Sequence, residues 1–269
     1  MSKKIIGIDL GGTSIKFAIL TLDGEVQEKW SIKTNILDEG SHIVDDMIES
    51  IAHRLKLLEL DASEFQGIGM GSPGVVDREK GTVIGAYNLN WKNLQPVKEK
   101  IESALHIPFF IDNDANVAAL GERWKGAGEN QPDVVFMTLG TGVGGGVIVG
   151  GKIVVGQFGA GGEIGHMCVN YHETKQCGCG SYGCLEQYAS ATGIVRLATE
   201  KLESETRSTL LKKEELSAKA VFDAVKEGDE VATEIATEMG EYLGHALANI
   251  AAVLDPAIFV IGGGVSKAG

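Results

Sequence analysis

Three cysteines stand close together in the second half of the chain, at a spacing that suits a metal ion. Cys177, Cys179 and Cys184 offer three thiolates within eight positions, and His166 or Cys168 can supply a fourth ligand. Thiolates and imidazoles are the donors that Zn²⁺ prefers, and four protein ligands leave no open position for catalysis. We therefore expect a structural zinc site in a loop over residues 166–184, with buried free thiols as the alternative.

Glycine-rich turns follow three of the apolar stretches and could hold phosphate groups or a nucleoside. Glycine lets backbone N–H groups approach an anion closely. Neither of the first two turns is a Walker P-loop, and the second leads into a strand pattern instead of the helix that a dinucleotide fingerprint requires. We expect the first two turns to grip a nucleoside triphosphate and the third to face its adenosine. The candidate residues are Asp9, Gly11, Gly12, Thr13 and Lys16, then Gly140, Thr141, Gly142 and Gly144, and finally Gly262, Gly263 and Gly264. For the first turn, a tight hairpin with Asp9 paired to Lys16 is the alternative.

Polar side chains at two further places could work on a substrate. Asn113 and Asp114 lie where a predicted strand ends and a helix begins, so Asp114 could be a general base and Asn113 could orient a hydroxyl, or either could be a helix N-cap. Glu163 and Glu186 lie beside the predicted metal ligands. Carboxylates held rigidly by a metal loop could accept hydrogen bonds from polyol hydroxyls.

The elements that position these residues alternate between strands and helices. Apolar runs and turn signals predict strands at 5–10, 14–20, 25–32, 65–71, 109–112, 134–139, 143–149 and 258–261. Helical spacing of apolar residues predicts helices at 43–58, 97–105, 115–124 and 231–254. This is an α/β chain.

An internal repeat relates the two halves. A shift of 129 positions lays Leu10 and Gly11 on Leu139 and Gly140, and it lays Ala18-Ile19 on Val147-Ile148. A strand-turn-strand unit that opens each half predicts two α/β domains of one topology. We place the smaller domain at residues 1–120 and the larger, with the metal loop, at residues 121–269.

Composition excludes several classes of protein. The 269 residues carry 24 Lys and Arg against 37 Asp and Glu, a net charge of −13 without any basic run. Such a surface repels a phosphate backbone, so we expect no nucleic-acid partner. The longest uncharged stretch is rich in glycine and too polar for a membrane span, and the N-terminus does not resemble a signal peptide. We expect a cytoplasmic protein without a membrane partner.

These motifs, taken together and in order, resemble the ROK family of sugar kinases and sugar-responsive repressors, and among them most closely the bacterial ATP-dependent glucokinases. The resemblance covers residues 5 to about 265 and rests on Asp9–Thr13 with Lys16, Asn113–Asn116, Leu139–Gly144, Glu163–His166 and Cys177–Glu186. It implies the actin-like, hexokinase-like (ribonuclease H-like) fold, in which two domains with a duplicated core close a central cleft on ATP and sugar. It also implies a homodimer.

The resemblance assigns roles to individual residues. It implies that Asp114 is the catalytic base, that Asn113, Glu163, His166 and Glu186 bind the sugar, and that Gly74 and Asn88 line its pocket less strictly. It makes His166 the fourth zinc ligand and leaves Cys168 outside the site.

The implied reaction is transfer of the γ-phosphoryl of ATP, with Mg²⁺, to the 6-hydroxyl of glucose, the entry step of glycolysis. Another hexose such as mannose, fructose or an N-acetylhexosamine, or a sugar-binding transcriptional regulator, is the alternative. Because family members usually continue with further helices beyond Gly264, we also expect that the chain lacks C-terminal helices.

Overall fold

The computed structural model describes residues 3–157 and 159–268 and divides into two compact units, the first ending at Ala118 and the second beginning at Ala119. Each unit is built around one main sheet. Within the described residues, no helix is both long and apolar enough to cross a membrane.

The first unit contains a five-stranded sheet that begins as a meander. Strands β1 (Lys4–Leu10), β2 (Ser14–Thr21) and β3 (Val26–Lys33) pair antiparallel in sequence order. Strand β4 (Phe65–Ser72) then joins the other edge of β1 in parallel, and β7 (Phe109–Asn113) pairs in parallel with β4. A small hairpin of β5 (Val75–Asp77) and β6 (Thr82–Ile84) lies outside this sheet. The resulting order is β3-β2-β1-β4-β7.

Helices cover the sheet of the first unit because their apolar faces match its buried strand residues. Helix α1 (Ile43–Leu57) buries Ile43, Met47 and Ile51, and α2 (Val97–Leu105) buries Val97 and Ile101. Parallel strands require crossover connections of this kind, and helices usually provide them. Helix α3 (Asp114–Lys125) starts directly at the end of β7.

The second unit repeats the same strand arrangement in a four-stranded sheet. Strands β8 (Val134–Leu139), β9 (Val143–Val149) and β10 (Lys152–Ile153) pair antiparallel, and β11 (Ile258–Gly262) pairs in parallel with β8. The order β10-β9-β8-β11 therefore corresponds to β3-β2-β1-β4. Its helices are α4 (Glu186–Ala189), α5 (Ala191–Ser204), α6 (Ala218–Lys226) and α7 (Glu230–Leu254).

The predicted alignment of the two hairpins is wrong after the turn. In the first hairpin Leu10 pairs with Ile15, whereas in the second Leu139 pairs with Val143, so the second turn is one residue shorter. Strand β2 therefore corresponds to β9 at a shift of 128, and Ile19 matches Val147 instead of Ile148. Side chains alternate along a strand, so a slip of one residue would exchange its two faces.

Most predicted elements agree with the observed ones to within a residue or two. The elements that were not predicted are β10, α4, α5, α6 and the β5-β6 hairpin. Helix α5 has a clear capping signal, because the Ser190 side chain accepts a hydrogen bond from the Gly193 amide, and α6 is capped by Ser217 in the same way. A serine cap followed by apolar residues at helical spacing is a sequence signal for a helix, so these two helices could have been predicted.

Candidate functional site

The first glycine turn connects β1 to β2 and presents backbone amides. The Gly11 amide donates to the Ser14 carbonyl at 3.1 Å, and the Gly11 carbonyl accepts from the Thr34 hydroxyl at 2.6 Å. The amides of Gly12 and Thr13 donate no hydrogen bond to any group in residues 3–157 and 159–268. Adjacent amides of this kind can receive an anion.

Asp9 and Lys16 stand opposite each other across β1 and β2 and form an ion pair. Lys16 Nζ donates to Asp9 Oδ2 at 2.8 Å, and both side chains are more than half exposed. The alternative interpretation of the sequence, a hairpin with Asp9 paired to Lys16, is thus present. Such an exposed pair contributes little to stability, so both groups can exchange this contact for a ligand at small cost.

Gly74 and Asn88, predicted to line a sugar pocket, have clear structural surroundings within the first unit. A methyl group on Gly12 would stand 3.0 Å from the Asn88 carbonyl oxygen, so Asn88 borders the first glycine turn. Gly74 has φ +89°, and a side chain there would come within 2.9 Å of the Ala86 amide nitrogen. Only glycine suits this conformation and this close approach.

Asn113 and Asp114 take different roles: Asn113 is the helix N-cap, and Asp114 is the candidate general base. The Asn113 side-chain oxygen accepts hydrogen bonds from the amides of Ala115 and Asn116, at 2.9 and 3.4 Å, which is the geometry of an N-cap. The exposed Asp114 uses one carboxylate oxygen to accept from the Ala115 amide at 2.8 Å. Its other oxygen has no partner among the described residues, so it can take a hydroxyl proton.

Asp112 forms hydrogen bonds that hold Asn113 and Asn116 in place. It was not predicted from the sequence as a site residue. It forms an ion pair with Arg78, and its Oδ1 accepts from the Asn113 amide at 2.8 Å and from the Asn116 side chain at 3.1 Å. The acidic residue before Asn113 was the available signal, but its partner Arg78 comes from a distant turn.

The second glycine turn connects β8 to β9 and is held by the start of α5. The Gly140 carbonyl accepts from the Ala191 amide at 2.8 Å, and the Thr141 carbonyl accepts from the Thr192 hydroxyl at 2.9 Å. As in the first turn, two adjacent amides, those of Thr141 and Gly142, donate to nothing in the described part of the chain. Gly144, by contrast, lies within β9 opposite Thr138.

Glu163, His166 and Glu186 gather around the start of β9. Glu186 Oε2 accepts from the Val143 amide at 3.0 Å. The short turn Ile164–His166 packs so closely on β9 that a methyl group on Gly165 would stand 2.0 Å from the Val143 carbonyl oxygen. Glu163 precedes this turn and is exposed. The second unit therefore brings its three predicted sugar ligands to one strand end.

A cavity of about 710 Å³ lies beside the second glycine turn, within the second unit. It is lined by Gly140 and Thr141, by one face of α6 along its whole length and by the turn after β11. Gly263 of that turn has φ +94° and approaches the Leu139 carbonyl so closely that a methyl group would stand 2.4 Å from its oxygen. Three lysines also reach the lining, Lys219 and Lys226 from α6 and Lys267 from the turn after β11. Asp223 lines the cavity as well and forms an ion pair with Lys219.

The four predicted metal ligands converge. The donor atoms of His166, Cys177, Cys179 and Cys184 all lie within 4.8 Å of one another. The sulfurs of Cys179 and Cys184 are 3.6 Å apart, and His166 Nδ1 is 3.8 Å from the Cys177 sulfur. Tetrahedral Zn²⁺ with its usual bond lengths requires donor separations of about 3.6–3.8 Å. The residues therefore fit zinc.

The Cys184 thiol is buried among the other predicted ligands, and this changes its pKa. Burial, together with the neighbouring thiols of Cys179 and Cys177, raises the pKa of Cys184 to about 12, so without a metal ion this thiol stays protonated. A coordinated metal ion deprotonates such a thiol. Cys168 lies outside the cluster, on a short bridge that pairs it with Cys184 in the backbone.

Comparison with known proteins agrees with these features. Residues 5–269 of the chain match the ROK family. It is 44% identical to a glucokinase of Halalkalibacterium halodurans, over 98% of this chain and 81% of the relative.

Two solved structures share the fold. A ROK hexokinase from Thermus thermophilus has a TM-score of 0.84 at 30% identity, covering 98% of this chain and 82% of its own. A ROK family glucokinase from Streptomyces griseus, solved with glucose and AMPPNP, has a TM-score of 0.74 at 36% identity, covering 99% and 85%. The predicted actin-like, hexokinase-like fold is therefore confirmed. From the duplicated sheet, the two glycine turns and these likenesses, we conclude that the chain belongs to the ROK family.

Proposed function

We propose that this chain is an ATP-dependent glucokinase, which transfers the γ-phosphoryl group of ATP to the 6-hydroxyl of glucose. The observation that carries the phosphoryl-transfer part is the pair of glycine turns, at corresponding positions of a duplicated sheet. Each turn has two adjacent amides that donate to no group in residues 3–157 and 159–268. Glucose as the acceptor is supported by the similarity to glucokinases, among them the one solved with glucose and AMPPNP.

Asp114 is the proposed general base. Its free carboxylate oxygen would accept the proton of the sugar hydroxyl as that oxygen attacks the phosphoryl group. Asp112 and the capping contacts of Asn113 would keep this carboxylate in place. The proposed sugar ligands are Asn113, Glu163, His166 and Glu186, with Gly74 and Asn88 nearby.

The two glycine turns and Lys16 would hold the phosphate groups of ATP, and the cavity beside Gly264 would take the adenosine. A volume of about 710 Å³ is ample for a nucleoside. Lys226 and Lys267 favour an anionic group there, whereas Lys219 is paired with Asp223. Mg²⁺ accompanies ATP in kinases and neutralises phosphate charge. Asp9 would hold it through water.

Zinc is proposed as a structural ion held by His166, Cys177, Cys179 and Cys184. With Nδ1 directed at the cluster, the other ring nitrogen of His166 remains for the sugar. Thiolate ligands persist in a reducing compartment, so we propose that the protein is cytoplasmic. The family resemblance leads us to propose a homodimer.

A coupled assay of ADP release tests the proposed function. Purified protein is supplied with ATP, Mg²⁺ and, separately, glucose, mannose, fructose and N-acetylglucosamine. We expect glucose to give the highest kcat/KM. Faster turnover of another hexose would replace glucose by that sugar. Sugar binding by calorimetry without any ADP release would instead favour a sugar-binding regulator.

A further inference from the structure

Each glycine turn accepts a hydrogen bond from a threonine that lies outside its hairpin. In the first unit this is Thr34, just after β3, and in the second it is Thr192, in the first turn of α5. The two threonines come from unrelated elements, a strand end and a helix start. They nevertheless make the same contact, a hydroxyl donating to a carbonyl oxygen of the turn.

Thr34 holds the first turn by two hydrogen bonds. Its hydroxyl donates to the Gly11 carbonyl at 2.6 Å, and its amide donates to the Thr13 carbonyl at 3.1 Å. Thr34 is only 4% exposed, so it is among the few buried polar residues. Buried hydroxyls of this kind are usually retained for a specific partner.

Thr192 holds the second turn together with its neighbour Ala191. The Thr192 hydroxyl donates to the Thr141 carbonyl at 2.9 Å, and the Ala191 amide donates to the Gly140 carbonyl at 2.8 Å. The Ser190 hydroxyl lies 3.0 Å from that of Thr192 and caps the helix through the Gly193 amide. The Gly140 and Thr141 carbonyls are therefore directed at the start of α5.

A fixed carbonyl also fixes the next amide. In a trans peptide the C=O of one residue and the N–H of the next point in opposite directions. The Thr34 hydroxyl, by holding the Gly11 carbonyl, thus directs the Gly12 amide away from the body of the unit. The Thr192 hydroxyl does the same for the Gly142 amide through the Thr141 carbonyl. Both amides are among those that have no partner in the described residues.

We propose that Thr34 and Thr192 are positioning residues that aim the amides of the two turns at the phosphate groups of the nucleotide. This inference rests on the proposed ATP-dependent phosphoryl transfer. Preorganised N–H donors bind an anion without the cost of reorienting the backbone, so loss of a holding hydroxyl should weaken nucleotide binding.

The test removes each hydroxyl while keeping the shape of the side chain. Thr34→Val and Thr192→Val are compared with Thr34→Ser and Thr192→Ser, which keep the donor. Thr237→Val is the matched control, because the Thr237 hydroxyl donates to the Thr233 carbonyl within α7, apart from both turns. The readouts are KM for ATP, KM for glucose, and the affinity for AMPPNP by calorimetry.

We expect each Val variant to raise KM for ATP and to weaken AMPPNP binding about fivefold to tenfold, since one hydrogen bond is lost. KM for glucose should stay within about twofold of wild type, and the Ser variants and Thr237→Val should bind AMPPNP like wild type. A lower melting temperature with unchanged AMPPNP affinity would mean a structural role only and would overturn the proposal. So would an equal rise of both KM values.

The two proposals can fail separately. If wild type phosphorylates glucose and the Val variants keep its KM for ATP, the positioning proposal fails and the proposed function stands. If wild type phosphorylates no sugar but binds AMPPNP, and the Val variants bind it more weakly, the proposed function fails and the positioning role is supported. If wild type does not bind AMPPNP, both fail.

Discussion

Asn113 and Asp114, neighbours at the start of α3, differ in the hydrogen bonds that their side chains make. The Asn113 oxygen accepts from helix amides, whereas the exposed Asp114 has one carboxylate oxygen without a partner in the part of the chain that the structure describes. The cap and the proposed base are therefore different residues. This separation allows the chemistry of Asp114 to be altered without uncapping the helix.

Replacement of Asp114 by Asn should abolish most phosphoryl transfer, because the amide keeps the shape but cannot accept the hydroxyl proton. We expect kcat to fall about 100-fold or more, while glucose affinity by calorimetry and the melting temperature change little. Asp45→Asn, which removes another exposed carboxylate from the first turn of a helix, is the control and should keep wild-type kcat. Near-normal turnover of Asp114→Asn would exclude Asp114 as the base.

Among the elements, helix α7 has an N-cap residue, Asp229, that also contacts the loop before α6. Asp229 is 8% exposed and accepts hydrogen bonds from the Ala232 amide at 2.8 Å, the Leu210 amide at 2.5 Å and the Thr209 hydroxyl at 2.8 Å. Burial opposes the charge of Asp229, but these hydrogen bonds outweigh burial and lower its pKa below the ordinary 3.8. The ionised Asp229 carboxylate therefore joins α7 to the loop before α6.

We expect Asp229→Asn to lower the free energy of unfolding by about 1–2 kcal/mol at neutral pH, because an amide group would face the Leu210 amide. A carboxyl whose pKa is lowered by folding stabilises fully above its unfolded pKa and loses this contribution as pH falls through its folded pKa. The difference between wild type and Asp229→Asn should thus shrink below about pH 4.

Denaturant unfolding at several pH values measures this difference. Ser217→Ala is the matched control, because it removes the uncharged cap of α6, whose hydroxyl accepts from the Ala220 amide at 3.0 Å. Its loss of stability should be the same at every pH. An Asp229→Asn deficit that is equally independent of pH would show that the charge of Asp229 does not contribute.

For the whole molecule, the main point is that each unit has a hydrophobic core of its own. Ile15, Met47 and Phe109 belong to the core of the first unit, whereas Leu139, Leu185 and Ile250 belong to that of the second. The four predicted metal ligands all lie in the second unit. Cys184 is joined to its core through the next residue, Leu185, which is fully buried.

Loss of zinc should therefore disturb the second unit and spare the first. Purified protein should contain about one zinc per chain, and Cys177→Ala should lose it because three ligands remain of the four that a closed site requires. Hydrogen exchange should then rise in residues 166–190 and at 140–143, where Glu186 accepts from the Val143 amide and Thr192 donates to the Thr141 carbonyl. It should not rise in β1 and β2.

Cys168→Ala is the control for this experiment, since Cys168 lies outside the cluster and its loss should leave the zinc content unchanged. Native protein without zinc, or exchange that rises equally in both units when zinc is lost, would contradict the prediction.

Local sequence patterns alone determined the elements and several chemical groups. Strands β8 and β9 and helix α2 have the predicted bounds, because each is a short apolar or periodic run bounded by turn residues. The cysteine spacing likewise predicted that His166, Cys177, Cys179 and Cys184 converge, since side chains so close in sequence can meet within one loop. The glycine turns were recognisable for the same reason.

Only the tertiary structure decided how groups distant in sequence meet. The register of β9 depends on a turn one residue shorter than its counterpart, which no periodicity reveals. The contacts of Arg78 with Asp112, of Glu186 with Val143, and of Thr34 and Thr192 with the glycine turns join positions 23 to 51 residues apart. Such hydrogen bonds depend on the packing of whole elements, so residue type and spacing could not predict them.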